Sequence, residues 1–121
     1  MHARVLLIED EPHIVEAISF LLTRENLSVS THADGADAAQ TAERLNPDLI
    51  ILDVMLPGKS GFDILHEIRQ TDAISQTPVL MLTAKGQSKD REAAKAAGAN
   101  LFMTKPFSNK EIVASVKSLL E

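Results

Sequence analysis

The chain has no cysteine, no tryptophan and no tyrosine, and its only aromatic carbocycles are four phenylalanines in 121 residues. Without cysteine there is no disulfide framework, no thiolate zinc site and no thiol nucleophile, so any metal must be held by oxygen or imidazole. The shortage of rings argues against a site built to sandwich a planar cofactor. An excess of positive charge is also missing: twelve Lys and Arg against seventeen Asp and Glu give a net charge of −5. A chain of this balance lacks the basic footprint that phosphate-backbone binding requires, and nucleic acid is not expected as a direct partner. Long apolar runs are absent as well. The amino terminus offers only Val5-Leu6-Leu7-Ile8, short of the ~7–15 apolar residues of a signal peptide, and nothing approaches the ~20 of a membrane span. No membrane association is expected, and the expected compartment is the cytoplasm.

What is present suits one globular domain: 45% hydrophobic and 24% charged residues lie well away from the composition of disordered chains. Four short apolar runs, Val5–Ile8, Leu49–Leu52, Val79–Leu82 and Leu101–Met103, read as strands buried on both faces. A weaker alternating stretch, Leu27–Thr31, reads as an edge strand. Helix-period segments separate them, clearest at Ile14, Ala17, Ile18, Leu21, Leu22 and at Ile112, Val113, Val116, Leu119, Leu120. Three less sharp helices are expected over 36–45, around Ile64–Ile68, and over 89–97. Pro12 suits a first helical turn, Ser60 and Ser108 suit N-caps, and Asn46-Pro47, Gly58, Pro78 and Gly98 fall between elements. A strand followed by a helix, five times over, predicts one doubly wound α/β domain with a parallel sheet and right-handed crossovers.

Such sheets bind ligands outside the carboxyl ends of their strands. There the sequence places Glu9-Asp10-Glu11, Asp53, Thr83-Ala84 and Lys105-Pro106. Any one of these positions alone reads as a solvated loop residue; together they bring carboxylates, a hydroxyl and an ammonium to one rim. Clustered carboxylates repel unless a cation joins them, and hard oxygen ligands select Mg²⁺. A carboxylate beside Mg²⁺ can attack a phosphoryl donor and form an acyl phosphate. Phosphoryl transfer then needs positioning and neutralisation of the equatorial oxygens, which a metal, Lys105 and Thr83 could share.

In order and spacing, Glu9-Asp10, Asp53-Val54-Met55-Leu56-Pro57 with Gly61, Thr83-Ala84 and Lys105-Pro106-Phe107 resemble the receiver domain of two-component response regulators, over essentially the whole chain. The resemblance implies a CheY-like, flavodoxin-like (βα)5 fold with strand order 2-1-3-4-5. It implies Asp53 as phosphoacceptor, and Mg²⁺ held by Glu9, Asp10, Asp53 and the backbone carbonyl of Met55, with Glu9 acting mainly through water. It further implies Lys105 as the phosphoryl-pairing lysine, a cis Lys105-Pro106 bond, otherwise found in only ~5–6% of X–Pro bonds, and Thr83 and Phe102 as switch residues. The implied partners are a histidine kinase or histidine phosphotransfer protein upstream and a protein target downstream, met through helix 4, strand 5 and helix 5. A receiver catalyses only its own phosphorylation and dephosphorylation and is not otherwise an enzyme.

Met55 and Lys85, two after the acceptor and two after Thr83, stand where side chains govern water access in receivers; an apolar Met55 implies a long-lived phosphoryl state. Receivers of winged-helix regulators commonly carry an acidic pair before the switch aromatic and an arginine in helix 5, and here those places hold Asn100, Leu101 and Ser115. A monomer or a weak, differently built dimer is therefore expected. An aspartyl-nucleophile phosphohydrolase of the haloacid dehalogenase type would need a second Asp at position 55. A flavin module would need a hydroxyl-rich loop after strand 1, and a phosphorylation-independent receiver usually loses an acidic or lysine position. The histidines His2, His13, His32 and His66 follow no metal-ligand spacing and read as surface or boundary residues. The elements fill residues 1–121 as a single domain with no room for an output domain; a receiver excised from a larger regulator or hybrid kinase is the alternative.

Overall fold

The computed structural model describes residues 2–83 and 88–121, with only the backbone described over 88–90. Ala84 and Lys85 lie outside the described residues. Five strands, β1 (Arg4–Ile8), β2 (Ser28–His32), β3 (Leu49–Asp53), β4 (Val79–Thr83) and β5 (Leu101–Thr104), form one parallel sheet in the order β2-β1-β3-β4-β5. Helices α1 (Pro12–Arg24), α2 (Ala38–Leu45), α3 (Gly61–Arg69), α4 (Ser88–Ala97) and α5 (Asn109–Leu120) follow them in turn. The expected doubly wound fold and strand order are both present.

The alternation along each strand divides the core into two layers. Leu6, Ile8, Ile50, Leu52, Val79 and Met81 face α2, α3 and Ala94 of α4. Val5, Leu7, Leu49, Ile51, Leu80 and Leu82 face Ile18 and Leu22 of α1 and Ile112 and Val116 of α5. Every residue of β3 and β4 is buried, as continuous apolar runs require when helices cover both faces. The helix starts follow the expected chemistry. Pro12 occupies the first turn of α1, Ser60 accepts from the Asp63 N–H at 3.3 Å, and Ser108 and Glu111 form a reciprocal capping box at 3.0 and 2.9 Å.

Most strands run one residue beyond the expected limits, and three further differences have a local cause. β2 runs Ser28–His32 rather than Leu27–Thr31, because the Leu27 N–H still bonds the Leu22 carbonyl at 3.1 Å and belongs to the turn that ends α1. α2 starts at Ala38 because Asp34 captures the Ala36 N–H at 2.9 Å in an Asx turn. A short 3-10 turn, Asp72–Ile74, which the sequence reading did not anticipate, buries Ile74 beneath the start of β4.

Candidate functional site

The ends of β1, β3 and β4 and the residue after β5 converge on one rim. β3 is central, and its last residue, Asp53, pairs in register with Leu82, one position before Thr83. The Val54 N–H bonds the Leu82 carbonyl at 2.9 Å and the Lys105 N–H bonds the Thr83 carbonyl at 2.6 Å, so the ladder carries each functional residue to the same level. Gly61 stands where a Cβ would collide with the Asp53 carbonyl, which is why α3 begins on a glycine at this approach.

Glu9 and Asp53 are 0% and 1% exposed, an expensive place for carboxylates unless they are paired. The pairing group is Lys105, whose Nζ lies 2.9 Å from Glu9 Oε1, 3.4 Å from Asp53 Oδ1 and 3.5 Å from Glu11 Oε1. Glu9 Oε2 also accepts from the Glu11 N–H at 3.1 Å, and the Asp53 carboxylate accepts from the Met55 N–H. Burial raises the pKa of Asp53 against the pull of Lys105; burial likewise raises that of Glu9, with the Asp53 charge adding to the rise. For Lys105, burial opposes the charge, but Glu9, Asp53 and Glu11 outweigh it and its pKa is raised. One ammonium thus holds a site carrying an excess of negative charge.

Glu9, Asp10 and Asp53 each offer an oxygen within 4.8 Å of the others. Glu9 Oε1 and Asp53 Oδ1 face Lys105 as ion pairs but receive no well-directed hydrogen bond. Buried, under-bonded carboxylate oxygens beside an exposed carboxylate suit a hard divalent cation that keeps part of its water shell. The donor set therefore fits Mg²⁺.

The chain matches the response regulator receiver domain over residues 5–117. It belongs to that family. The receiver is 41% identical, over 99% of its length, to the alkaline phosphatase synthesis transcriptional regulatory protein PhoP of Bacillus subtilis, of which it covers 49%. The chain thus spans about half the length of the curated relatives it matches. Among solved structures, the chemotaxis response regulator CheY4 of Vibrio cholerae superposes with a TM-score of 0.93 at 31% identity, covering 99% of this chain and 100% of that one. The receiver domain of a Pseudomonas aeruginosa sensor histidine kinase, with a magnesium ion coordinated in its active-site cleft, superposes with a TM-score of 0.90 at 32% identity, covering 99% and 98%. The expectation of no nucleic-acid contact concerns this receiver alone, since the PhoP relative is a transcriptional regulator. No helix among the described residues is long and apolar enough to cross a membrane.

The receiver brings Glu9, Asp10, Asp53 and Lys105 together. Thr83 is buried at the end of β4, Phe102 is half-buried on β5, and Lys105-Pro106 is cis. Met55 is 71% exposed, with its backbone at the acid pocket. Three contacts escaped the sequence reading. Glu11 was seen only as part of an acidic run, yet it faces Lys105. The Arg91 guanidinium lies 5.6 Å from the centroid of the Phe102 ring, a contact between α4 and β5 that no motif announces. Arg69, at the end of α3, donates five hydrogen bonds, to the carbonyls of Ser75, Thr77 and Gly98 and to Asn100 Oδ1. An arginine closing an amphipathic helix was the only available signal for the last.

Proposed function

We propose that this receiver takes a phosphoryl group from a phosphohistidine donor, a histidine kinase or phosphotransfer protein, onto Asp53 and signals through the α4-β5-α5 face. The observation that carries this reading is a buried carboxylate held 3.4 Å from a lysine inside a divalent-cation donor set. A carboxylate oxygen of Asp53 attacks phosphorus; the O–P bond forms as the N–P bond breaks, and the electron pair returns to the donor imidazole. Glu9, Asp10, Asp53 and the Met55 carbonyl would hold Mg²⁺, which when bound neutralises phosphoryl oxygens and the clustered carboxylates. Lys105 pairs with a second phosphoryl oxygen, leaving its present carboxylate partners. Thr83 turns its hydroxyl toward a third, and Phe102 follows into the vacated space.

That movement reaches the surface through Arg91, stacked over Phe102. A shallow groove of about 280 Å³ lies there, lined by Arg91, Lys95, Ala99, Asn100, Leu101 and Phe102. Turning the Phe102 ring inward strips Arg91 of its stacking partner and reshapes the groove, so that a protein target reads the charge at Asp53 as a change of surface. The chemistry ends at the receiver's own phosphorylation and dephosphorylation. Asn100, Leu101 and Ser115 supply no cross-dimer ion pairs, and the phosphorylated receiver is a monomer or weak dimer.

Incubation with Mg²⁺ and acetyl phosphate followed by intact-mass measurement tests the assignment. Wild type should gain one phosphoryl mass and Asp53→Asn none; equal gain by both, or none by wild type, would falsify it.

A further inference from the structure

We propose that Met55 is a redox-sensitive residue whose thioether peroxide converts to the sulfoxide, and that the sulfoxide shortens the life of the phosphorylated state. The inference rests on the phosphoacceptor role of Asp53 and adds a second chemical input to the same site.

The selectivity follows from composition and burial together. Peroxides attack soft sulfur first, and the chain has no cysteine to compete and no tryptophan or tyrosine as a secondary target. Of the methionines among the described residues, Met81 is 0% exposed and Met103 8%, both packed in the core. Met55 is 71% exposed. Among the described methionines, two-electron oxidation should therefore concentrate on Met55 while the fold is intact. In the reaction a sulfur lone pair attacks a peroxide oxygen and the O–O bond breaks. An S=O bond forms and the other oxygen leaves as water after proton transfer, so the sulfur is oxidised and hydrogen peroxide is reduced. No further reactant is needed.

Position gives the modification its consequence. The Met55 N–H donates to the Asp53 carboxylate, so its backbone borders the acid pocket and its exposed side chain starts from that edge. A thioether there is apolar and cannot orient water. The sulfoxide is a strong acceptor at the same radius, able to hold a water molecule next to the acyl phosphate and raise the rate of its hydrolysis. Oxidation would thus erase a stored signal without touching the core, and methionine sulfoxide reductases would restore it.

The test uses the whole chain. Hydrogen peroxide is added under native conditions, and peptide mapping by mass follows oxygen uptake at each methionine, with Met1, outside the described residues, read separately. Reduced and oxidised samples are then phosphorylated with acetyl phosphate and Mg²⁺, the donor is removed, and phosphoryl loss is timed by intact mass. Met55 should gain one oxygen well before Met81 and Met103. The oxidised receiver should lose its phosphoryl group about threefold to tenfold faster, equivalent to as much as about 1.4 kcal/mol off the barrier. Met55→Leu, compared with itself before and after peroxide, should show no change, and reductase treatment should restore the wild-type lifetime. Oxidation of the buried methionines as fast as Met55 overturns the proposal, as does an equal or longer lifetime after clean oxidation of Met55. If the unoxidised chain takes up no phosphoryl mass, the Asp53 assignment falls and this proposal with it, whereas uptake with unequal oxidation but equal lifetimes sinks this proposal alone.

Discussion

Replacing Asp53 with Asn should make the metal-free receiver more stable at neutral pH. Asp53 Oδ1 lies 3.4 Å from the Lys105 ammonium, an attraction of about 5 kcal/mol at an effective dielectric constant near 20. Against it, an oxygen of Glu9 lies within 4.8 Å, a repulsion of about 3.5 kcal/mol on the same scale, and exposed Asp10 adds a screened contribution. The Coulomb effects nearly cancel, so desolvation decides. Burying an ionised carboxylate costs several kcal/mol, against about 1–3 kcal/mol for an amide, and the amide oxygen of the variant can still accept from the Met55 N–H. The expected gain is on the order of 2 kcal/mol, about 1 M in urea midpoint for a domain of this size. Without tryptophan or tyrosine the transition is best followed by far-ultraviolet circular dichroism.

The pH dependence has a definite sign. The native pKa of Asp53 is raised above its ordinary 3.8 by burial, so between those two values the native state holds more protons than the unfolded one and wild-type stability falls as pH rises. The advantage of Asp53→Asn should vanish below the ordinary value, where both states are protonated, and be complete above the raised one. Mg²⁺ at about 100 times its dissociation constant should add about 2.7 kcal/mol to wild type and less to the variant. A variant no more stable than wild type at pH 7 without metal, or an advantage undiminished by acid, would refute this account of the site.

Four further outcomes follow from the same geometry. Lys105→Met leaves two buried carboxylates without a cation and should cost about 3–5 kcal/mol at pH 7, less at mildly acidic pH where Glu9 and Asp53 protonate, as paired urea titrations would show. Arg69→Met removes five hydrogen bonds and should cost about 2–3 kcal/mol, with faster amide exchange at Val79, whose N–H shares Asn100 Oδ1 with Arg69. Met55→Asn brings a polar group to the mouth of the acid pocket and should shorten the phosphoryl half-life; an unchanged or longer one contradicts the shielding role of Met55. Sedimentation with beryllofluoride and Mg²⁺ should show a monomer or weak dimer, and a tight dimer through α4 and α5 would contradict the reading of Asn100, Leu101 and Ser115.

Most of the fold was legible because four of its five strands carry continuous apolar runs and each of those four ends at a charge or a hydroxyl. Leu49–Leu52 announces a central strand, and the Asp53 that follows gains functional meaning from the polar groups that end the other strands on the same rim. The sequence misled where short-range bonds compete. Leu27 has the composition of a strand residue but is held by the αL turn at Asn26, φ 64°, and by its bond to Leu22. The acid cluster was legible because its members close β1 and β3, which a doubly wound sheet sets side by side. Arg69 was not, because its partners are backbone carbonyls 6 to 29 residues away and a side chain 31 away, and backbone groups carry no sequence mark.

Helices α4 and α5 are held in different ways, and the difference bears on how a charge at Asp53 could reach the surface. α5 packs Ile112 and Val116 fully into the core, and its first turn is closed by the reciprocal capping box, so it resists displacement. α4 contributes only Ala94 as a fully buried side chain among its described residues. Its attachments are local: Arg69 grips the Gly98 carbonyl at its carboxyl end, at 2.8 and 3.1 Å, and Arg91 stacks on Phe102 nearer the rim. A cation at a helix carboxyl terminus is favoured by the macrodipole, and a Cβ on Gly98, φ 104°, would meet Arg69 at 3.1 Å, so this end is tightly built. Exposed cation–π contacts are worth only about 0.5–1 kcal/mol. If the proposed switch draws Phe102 inward, it works against a weak tie at the rim and a strong one at the far end, so α4 would turn about Gly98 while α5 stays in place.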